Sequence, residues 1–216
     1  MPDIFDEIEE DFRADRTRRL AKRWGGVALG VALLVLAAFG GWQAWRWNDE
    51  RQAATAAETY LALHRTAEAR GADLPAVAEG FSTLAQSAPD GYRTLARLRA
   101  AALKAETGDI QAALALWDAV ARDSAAEALY RDLAALLYVG HGLETVDPAQ
   151  LAARIGPLTQ PGNAWQAPAR EMAALVAIRR GDMAEARQQL QALAADTAAT
   201  PGLRERAQRL AAGLGS

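Results

Sequence analysis

The sequence contains no cysteine and only two histidines, His64 and His141, among its 216 residues. The lack of cysteine excludes disulfides, thiol catalysis, iron–sulfur clusters and thiolate zinc sites. The two histidines are far apart in the sequence, and no carboxylate cluster at ligand spacing accompanies either of them, so a metal site is not expected. The formal charge of −3 argues against a nucleic-acid partner bound through phosphate neutralisation.

Catalytic motifs are also lacking. The sequence contains serines and histidines, but it has no nucleophile elbow that would make a serine a catalytic nucleophile. It also has no glycine-rich phosphate loop, since the pairs Gly25-Gly26 and Gly40-Gly41 lie in or beside an apolar stretch. We therefore expect no catalytic residue, no cofactor and no small-molecule substrate. An enzyme would need a convergent polar site that the sequence does not show.

Aromatic residues make up 6% of the chain, whereas 53 residues are alanine. Alanine and leucine are strong helix formers and are poor material for strands, so this composition predicts an all-α protein.

A long uncharged stretch runs from Gly25 to Trp45 and reads GGVALGVALLVLAAFGGWQAW. A helix of this length is about 31 Å long, close to the hydrocarbon thickness of a bilayer. Tryptophans, which favour the headgroup layer, stand at its ends as expected interfacial anchors: Trp24, Trp42, Trp45 and Trp47. We expect a single transmembrane helix over residues 24–47.

Basic residues are concentrated before this stretch. They are Arg13, Arg16, Arg18, Arg19, Lys22 and Arg23, whereas Arg46 and Arg51 are the close ones on the far side. This asymmetry predicts a cytoplasmic amphipathic and basic segment over residues 1–23 and an exported domain over residues 48–216. The alternative is a cleaved signal peptide, for which Ala38-Phe39-Gly40 offers small residues at suitable spacing.

Small residues fall on one face of the predicted transmembrane helix when it is projected at about 100° per residue. They are Gly26, Gly30, Ala37, Gly40, Gly41 and Ala44. Such a face lets helix backbones approach closely in lipid, so it is a candidate for docking another membrane helix. The alternative is that glycine and alanine are simply common in the membrane helices of an alanine-rich protein.

The remaining residues show apolar side chains at helical spacing, interrupted by Gly, Pro and Asp. Helices are predicted near residues 49–70, 74–87, 92–106, 110–123, 125–139, 148–159, 165–180, 183–196 and 202–213. A loop is predicted from Gly140 to Asp147, with His141 between two glycines.

Residues 100–126 align without a gap to residues 173–199, an offset of 73. The most specific coincidence is a Gly-Asp turn, Gly108-Asp109 in one copy and Gly181-Asp182 in the other. The offset fits two units of about 34–37 residues, the period of tetratricopeptide repeats, which this pattern resembles. We expect an α-solenoid of four helical hairpins, over residues 49–88, 91–123, 125–160 and 165–196, closed by a capping helix over residues 201–213.

Taken together, the anchor, its tryptophan-rich exit and the repeats resemble the YfgM-like family. The most specific pieces are Gly41-Trp42 with Trp45, and a carboxy-terminal run. That run is Trp165…Ala169-Arg170-Glu171…Gly181-Asp182…Ala186-Arg187. The resemblance implies an ancillary subunit of the SecYEG translocon in the bacterial inner membrane, with periplasmic chaperones as partners.

The function expected from the sequence is therefore protein binding by a membrane-anchored module at the translocon. An accessory or assembly subunit of another inner-membrane complex, such as a respiratory or division machine, is the alternative. Trp165 follows a Pro-Gly-Asn turn and is a candidate for an exposed contact with a partner.

Overall fold

The computed structural model describes the backbone of residues 4–214 and the side chains of residues 29–31 and 33–214. Its α-helices are α1 (Ile4–Glu68), α2 (Leu74–Ser87), α3 (Asp90–Glu106), α4 (Ile110–Arg122), α5 (Ala128–Gly142), α6 (Pro148–Ile155), α7 (Gln166–Arg180), α8 (Met183–Ala195) and α9 (Pro201–Gly213). A 3-10 helix, Gly156–Thr159, follows α6. No strand occurs in residues 4–214, and the predicted all-α fold class is confirmed.

The chain divides into two compact units, Met1–Arg51 and Gln52–Ser216. In the second unit, neighbouring helices pack against one another along the chain from α2 to α9. The last part of α1, from Gln52, belongs to this unit, and there the ring of Tyr60 meets Phe81 of α2 edge to face at a centroid distance of 5.2 Å.

The core of the second unit consists of four successive apolar clusters. Phe81 lies in the first, Trp117 in the second, Leu151 in the third and Leu190 in the fourth, and all four side chains are fully buried. This arrangement is expected of stacked hairpins, because a single hairpin cannot cover its own apolar stripe and each one buries the stripe of its neighbour.

An aspartate caps the amino-terminal end of α2, α4, α6 and α8. The side chains of Asp73, Asp109, Asp147 and Asp182 each accept a hydrogen bond from a backbone N–H in the first turn of the following helix. This capping satisfies donors that have no partner within the helix. It explains why the Asp and Gly positions in the sequence predicted these helix boundaries closely.

The predicted loop over residues 140–147 is partly wrong, because α5 continues through Gly142. The two glycines are helical and are covered by neighbouring elements. A Cβ at Gly142 would lie 3.0 Å from Cγ2 of Val146, and one at Gly140 would lie 3.6 Å from Sδ of Met172. The lack of a side chain at Gly140 and Gly142 lets neighbouring side chains pack closely against α5. The prediction that the helix ends before Gly140 is therefore wrong.

The two Gly-Asp turns adopt the same conformation. Gly108 and Gly181 have φ values of 87° and 79°, in the region that glycine adopts without a steric penalty. The next N–H closes each helix by bonding back to a carbonyl five residues earlier, from Asp109 to Lys104 at 2.8 Å and from Asp182 to Ala177 at 2.9 Å. Each turn therefore ends one helix with its glycine and begins the next with its aspartate.

We predict that Gly181→Ala destabilises the protein by about 1–2 kcal/mol, because the alanine Cβ is strained at this positive φ. Gly91→Ala is the matched control, since Gly91 is helical and a Cβ there also meets nothing within 4 Å. Urea denaturation of the detergent-solubilised chain, followed by circular dichroism, measures both variants. Equal effects of the two substitutions would contradict the assignment of the cost to backbone conformation.

Candidate functional site

Part of α1 is apolar and uncovered. Among the described residues, Leu29–Glu68 contains the one stretch that is long and apolar enough to cross a membrane, with a mean hydropathy of 1.3 over its best 18-residue window. None of that window is buried, and Leu34 is 72% exposed. A helix this apolar and this exposed needs another apolar environment, which a bilayer or a second helix can provide.

The three described tryptophans of this region, Trp42, Trp45 and Trp47, are between 49% and 66% exposed. The guanidinium carbon of Arg46 lies 5.2 Å from the ring centre of Trp42, and that of Arg51 lies 3.5 Å from the ring centre of Trp47. Trp45, the third, is 66% exposed. An indole paired with a cation suits the boundary between headgroups and hydrocarbon, where one part of the pair is apolar and the other is wet.

The small residues of the proposed packing face are exposed wherever their side chains are described. These residues are Gly30, Ala37, Gly40, Gly41 and Ala44. A Cβ added at Gly30, Gly40 or Gly41 would meet no atom within 4 Å. The side chains of Gly26, Trp24 and the basic segment before them lie outside the described residues, and use of this face for docking stays a prediction.

In the second unit, the odd-numbered helices form a layer. Helix α3 contacts α5, α5 contacts α7, and α7 contacts α9. The ring centroids of Tyr60 and Tyr92 are 6.4 Å apart, so α1 approaches α3 at Tyr60 and extends this layer there. We call this set the odd-helix layer. Layers of this kind provide the extended binding surfaces of stacked-repeat proteins.

A spacing that the sequence analysis missed recurs through this layer. In each of α3, α5, α7 and α9, a large residue at the start of the helix is followed four residues later by a fully buried alanine. The pairs are Tyr92 and Ala96, Tyr130 and Ala134, Trp165 and Ala169, and Leu203 and Ala207. The small side chain lets neighbouring helices cross closely, as in the W-x₂-L-G pattern of tetratricopeptide repeats.

An ion pair also recurs at the offset of 73 residues. Nη1 of Arg97 lies 2.8 Å from Oδ2 of Asp123, and Nη1 of Arg170 lies 3.5 Å from Oδ2 of Asp196. Each aspartate also accepts a hydrogen bond from the backbone N–H two residues later. The matching arginines lie three residues before the aligned ranges 100–126 and 173–199 and could have extended the repeat alignment.

Arg99 of α3 lies in the odd-helix layer, within electrostatic range of the Tyr60 hydroxyl of α1. In the part of the chain that the structure describes, four buried side-chain nitrogens have no hydrogen-bond partner: Nε of Arg99, Nε of Arg204, Nδ1 of His64 and Nε1 of Trp117. The ring of Tyr60 stacks on that of His64 at a centroid distance of 6.4 Å. Burial raises the pKa of Tyr60, and the nearby Arg99 cation partly opposes that rise.

Trp165 and His141 lie at different ends of their helices. Trp165 is half-buried, and its Nε1 donates to the carbonyl of Leu129 at 3.0 Å beside the exposed Leu129 side chain. That Trp165 contacts a partner stays a prediction.

His141 is in the last turn of α5, and its exposed imidazole stacks on the buried ring of Trp117 at a centroid distance of 4.6 Å. Within the described residues, no three His, Cys, Asp or Glu side chains converge as a metal site.

The layer ends at an ion pair between α7 and α9. Glu171 is 5% exposed, and both of its oxygens accept hydrogen bonds from Arg206, through Nε and through Nη2, the latter at 2.8 Å. The hydrogen bond from Arg206 and the charge of Glu171 raise the pKa of Arg206. This bidentate pair satisfies a buried carboxylate and fixes the last helix on the stack.

We predict that Arg206→Met lowers the free energy of unfolding by about 1–3 kcal/mol, because it leaves the Glu171 carboxylate buried without its partner. Arg209→Met, on the exposed face of the same helix, is the control and should change stability by less than about 0.5 kcal/mol. In a Glu171→Gln background the Arg206 substitution should cost less, and a double-mutant cycle measures this coupling. Additive effects would show that the pair does not stabilise the cap.

A family model described as a tetratricopeptide repeat-like domain matches residues 18–140. No curated protein and no solved structure matches the chain. Domains of this kind are usually protein-interaction modules and not enzymes. The match extends from α1 into α5, and the spacing of large residue and buried alanine continues beyond it through α7 and α9. The chain belongs to the tetratricopeptide repeat-like domain family.

Proposed function

We propose that this protein is a membrane-anchored adaptor that binds other proteins through its repeat domain. Residues 24–47 cross the bilayer once, residues 1–23 lie in the cytoplasm, and residues 48–216 form the exported domain. The observation that carries the proposal is the presence of an uncovered apolar stretch in a chain that also forms a stacked-repeat domain.

The membrane part of the proposal is supported by the exposed apolar side chains from Leu33 to Phe39 and by the tryptophan–arginine pairs that follow them. The orientation is supported by the excess of arginine and lysine before the apolar stretch.

The binding part is supported by the odd-helix layer. Its helices present polar and half-buried side chains, while the buried alanines lie between neighbouring helices. Stacked repeats use such extended surfaces to bind polypeptides. An anchor confines the domain near the membrane, which raises its effective concentration for partners located there.

We further propose that the site of action is the protein-export translocon of a bacterial inner membrane, with periplasmic chaperones as further partners. This finer assignment rests on the resemblance to the YfgM-like family. In this role the protein would hold emerging chains close to the factors that fold them. The exposed small-residue face of α1 would provide the contact with translocon helices.

Topology can be tested by cysteine labelling, because the chain has no cysteine of its own. The Met183→Cys variant reports the exported domain, where Met183 is exposed, and Asp15→Cys reports the leader. We expect a membrane-impermeant maleimide to label the first variant in intact spheroplasts and the second only after lysis. Labelling of Asp15→Cys without lysis, or a mature protein that begins near Gly41, would overturn the proposed topology.

Partner assignment can be tested by crosslinking in native membranes followed by affinity capture of the full-length protein. We expect translocon subunits among the captured proteins, and fewer of them when Gly30→Leu and Gly41→Leu are combined, because the leucines keep a second helix at a distance. The matched control is Val31→Leu with Val35→Leu on the opposite face.

A domain that begins at Asn48 and is exported by an added signal sequence separates the anchor from the repeats. Capture of periplasmic proteins should survive this truncation, whereas capture of translocon subunits should not. Capture of respiratory or division subunits in place of translocon subunits would favour the alternative role. An unchanged result with the paired leucines would show that the small-residue face is not the contact.

A further inference from the structure

Four side chains of graded polarity follow one another along one side of α1 where the apolar stretch ends. They are Phe39, Trp42, Arg46 and Glu50, and their spacing of three or four residues keeps them on the same side of a helix. The ring centroids of Phe39 and Trp42 are 6.0 Å apart, and the guanidinium carbon of Arg46 lies 5.2 Å from the ring centre of Trp42. Nη2 of Arg46 in turn lies 3.5 Å from Oε1 of Glu50. An apolar ring, an indole, a cation and an anion therefore occur in this order.

The two charged groups have capacity for a further partner. The side chains of Arg46 and Glu50 are both more than half exposed, and an ion pair between exposed side chains contributes little free energy. A guanidinium has five N–H donors and a carboxylate has about four lone-pair sites. The hydrogen bond from Arg46 to Glu50 uses one of each, so both groups can also bind a ligand.

The place of these side chains relative to the apolar stretch determines which ligand they meet. In the proposed membrane-spanning helix, Phe39 lies in hydrocarbon and Trp42 at the boundary with the headgroups. A helix rises 1.5 Å per residue, so Arg46 and Glu50 lie about 6 Å and about 12 Å further along it than Trp42. The cation is thus nearer to the hydrocarbon and the anion nearer to water. This order is the same whichever end of α1 is cytoplasmic.

We propose that Trp42, Arg46 and Glu50 bind the headgroup of a zwitterionic aminophospholipid, phosphatidylethanolamine. In this lipid the phosphate is attached to the glycerol, and an ethylene link places the primary ammonium nearer to water. The Arg46 guanidinium donates hydrogen bonds to the phosphate, and the Glu50 carboxylate accepts hydrogen bonds from the ammonium. The ring of Trp42 packs against the glycerol region. This inference rests on the membrane-spanning part of the proposed function.

Charge complementarity favours this headgroup over two others. Phosphatidylglycerol has the phosphate and hydroxyl groups but no cation for the Glu50 carboxylate. Phosphatidylcholine has a cation without an N–H donor, so it cannot form the hydrogen bonds to that carboxylate. Residues 46–51 contain two arginines and two acidic residues, Asp49 and Glu50, and their net charge is zero. The segment therefore lacks the excess of positive charge that attracts anionic lipids.

The test measures which lipids stay bound to the full-length protein. The protein is placed in nanodiscs that contain phosphatidylethanolamine, phosphatidylglycerol and phosphatidylcholine in equal amounts and with identical acyl chains. Native mass spectrometry of the released protein then counts the bound lipids of each class. We expect phosphatidylethanolamine to exceed each of the other two by about threefold, a modest preference because exposed charge pairs are individually weak.

Exchange of the two charges is the decisive variant. Arg46→Glu combined with Glu50→Arg keeps the composition, the net charge and the four-residue spacing, but it reverses the order of cation and anion. We expect the preference for phosphatidylethanolamine to be lost. Glu50→Gln removes the ammonium contact and keeps the cation, so the preference should shift to phosphatidylglycerol. Glu58→Gln is the matched control, since Glu58 is an exposed carboxylate eight residues further along α1, and it should keep the wild-type preference.

Three results would overturn the inference. The first is equal retention of the three lipids by the wild type, and the second is an unchanged preference in the variant with exchanged charges. The third is an equal loss of preference in Glu58→Gln and Glu50→Gln, which would assign the preference to the overall charge of the protein.

Extraction of native membranes with alkaline carbonate tests the anchor separately. If the wild type stays in the membrane fraction but shows no lipid preference, the proposed function stands and the headgroup site is wrong. If carbonate releases the wild type, the membrane anchor is wrong and the headgroup site fails with it.

Discussion

The structure of the repeat domain depends on the requirement that each helical hairpin be covered by its neighbours. One hairpin leaves an apolar stripe in water, and burying that stripe against the next hairpin supplies the main stabilising free energy. The close crossings that this needs occur where a side chain is reduced to a methyl group, at Ala96, Ala134, Ala169 and Ala207. An alanine-rich sequence is suited to this architecture because it combines high helix propensity with small side chains at the crossings.

Polar groups and turn glycines determine where the helices of the stack begin and end. Aspartate caps begin helices, and glycines with positive φ end them. The repeated ion pairs Arg97–Asp123 and Arg170–Asp196 attach the end of one helix to the preceding helix. The bidentate pair of Glu171 with Arg206 does the same for the last helix. Among the described residues, the buried Nε atoms of Arg99 and Arg204 have no hydrogen-bond acceptor.

Most of the fold could be predicted from the sequence, because its signals are local. The helix starts at Asp73, Asp109, Asp147 and Asp182 follow from capping chemistry that involves only adjacent residues. The error at residues 140–142 has the opposite origin. Glycine is a poor helix former, yet contacts of Gly142 with Val146 and Leu151 make its lack of a side chain useful inside α5. The spacing from Tyr92 to Ala96 was missed because the intervals between its copies vary, at 38, 35 and 38 residues.

The sequence by itself determined the helical class, the helix boundaries set by Asp, Gly and Pro, and the presence of one long apolar stretch, since these depend on local propensity, capping and hydropathy. Only the tertiary structure decided which helices lie together in the odd-helix layer and which charged groups find counter-ions. The pairs Arg154 with Asp118 and Arg206 with Glu171 join residues about 35 positions apart. Whether Arg99 has such a partner likewise depends on long-range packing, which brings distant side chains together in a way that no local pattern specifies.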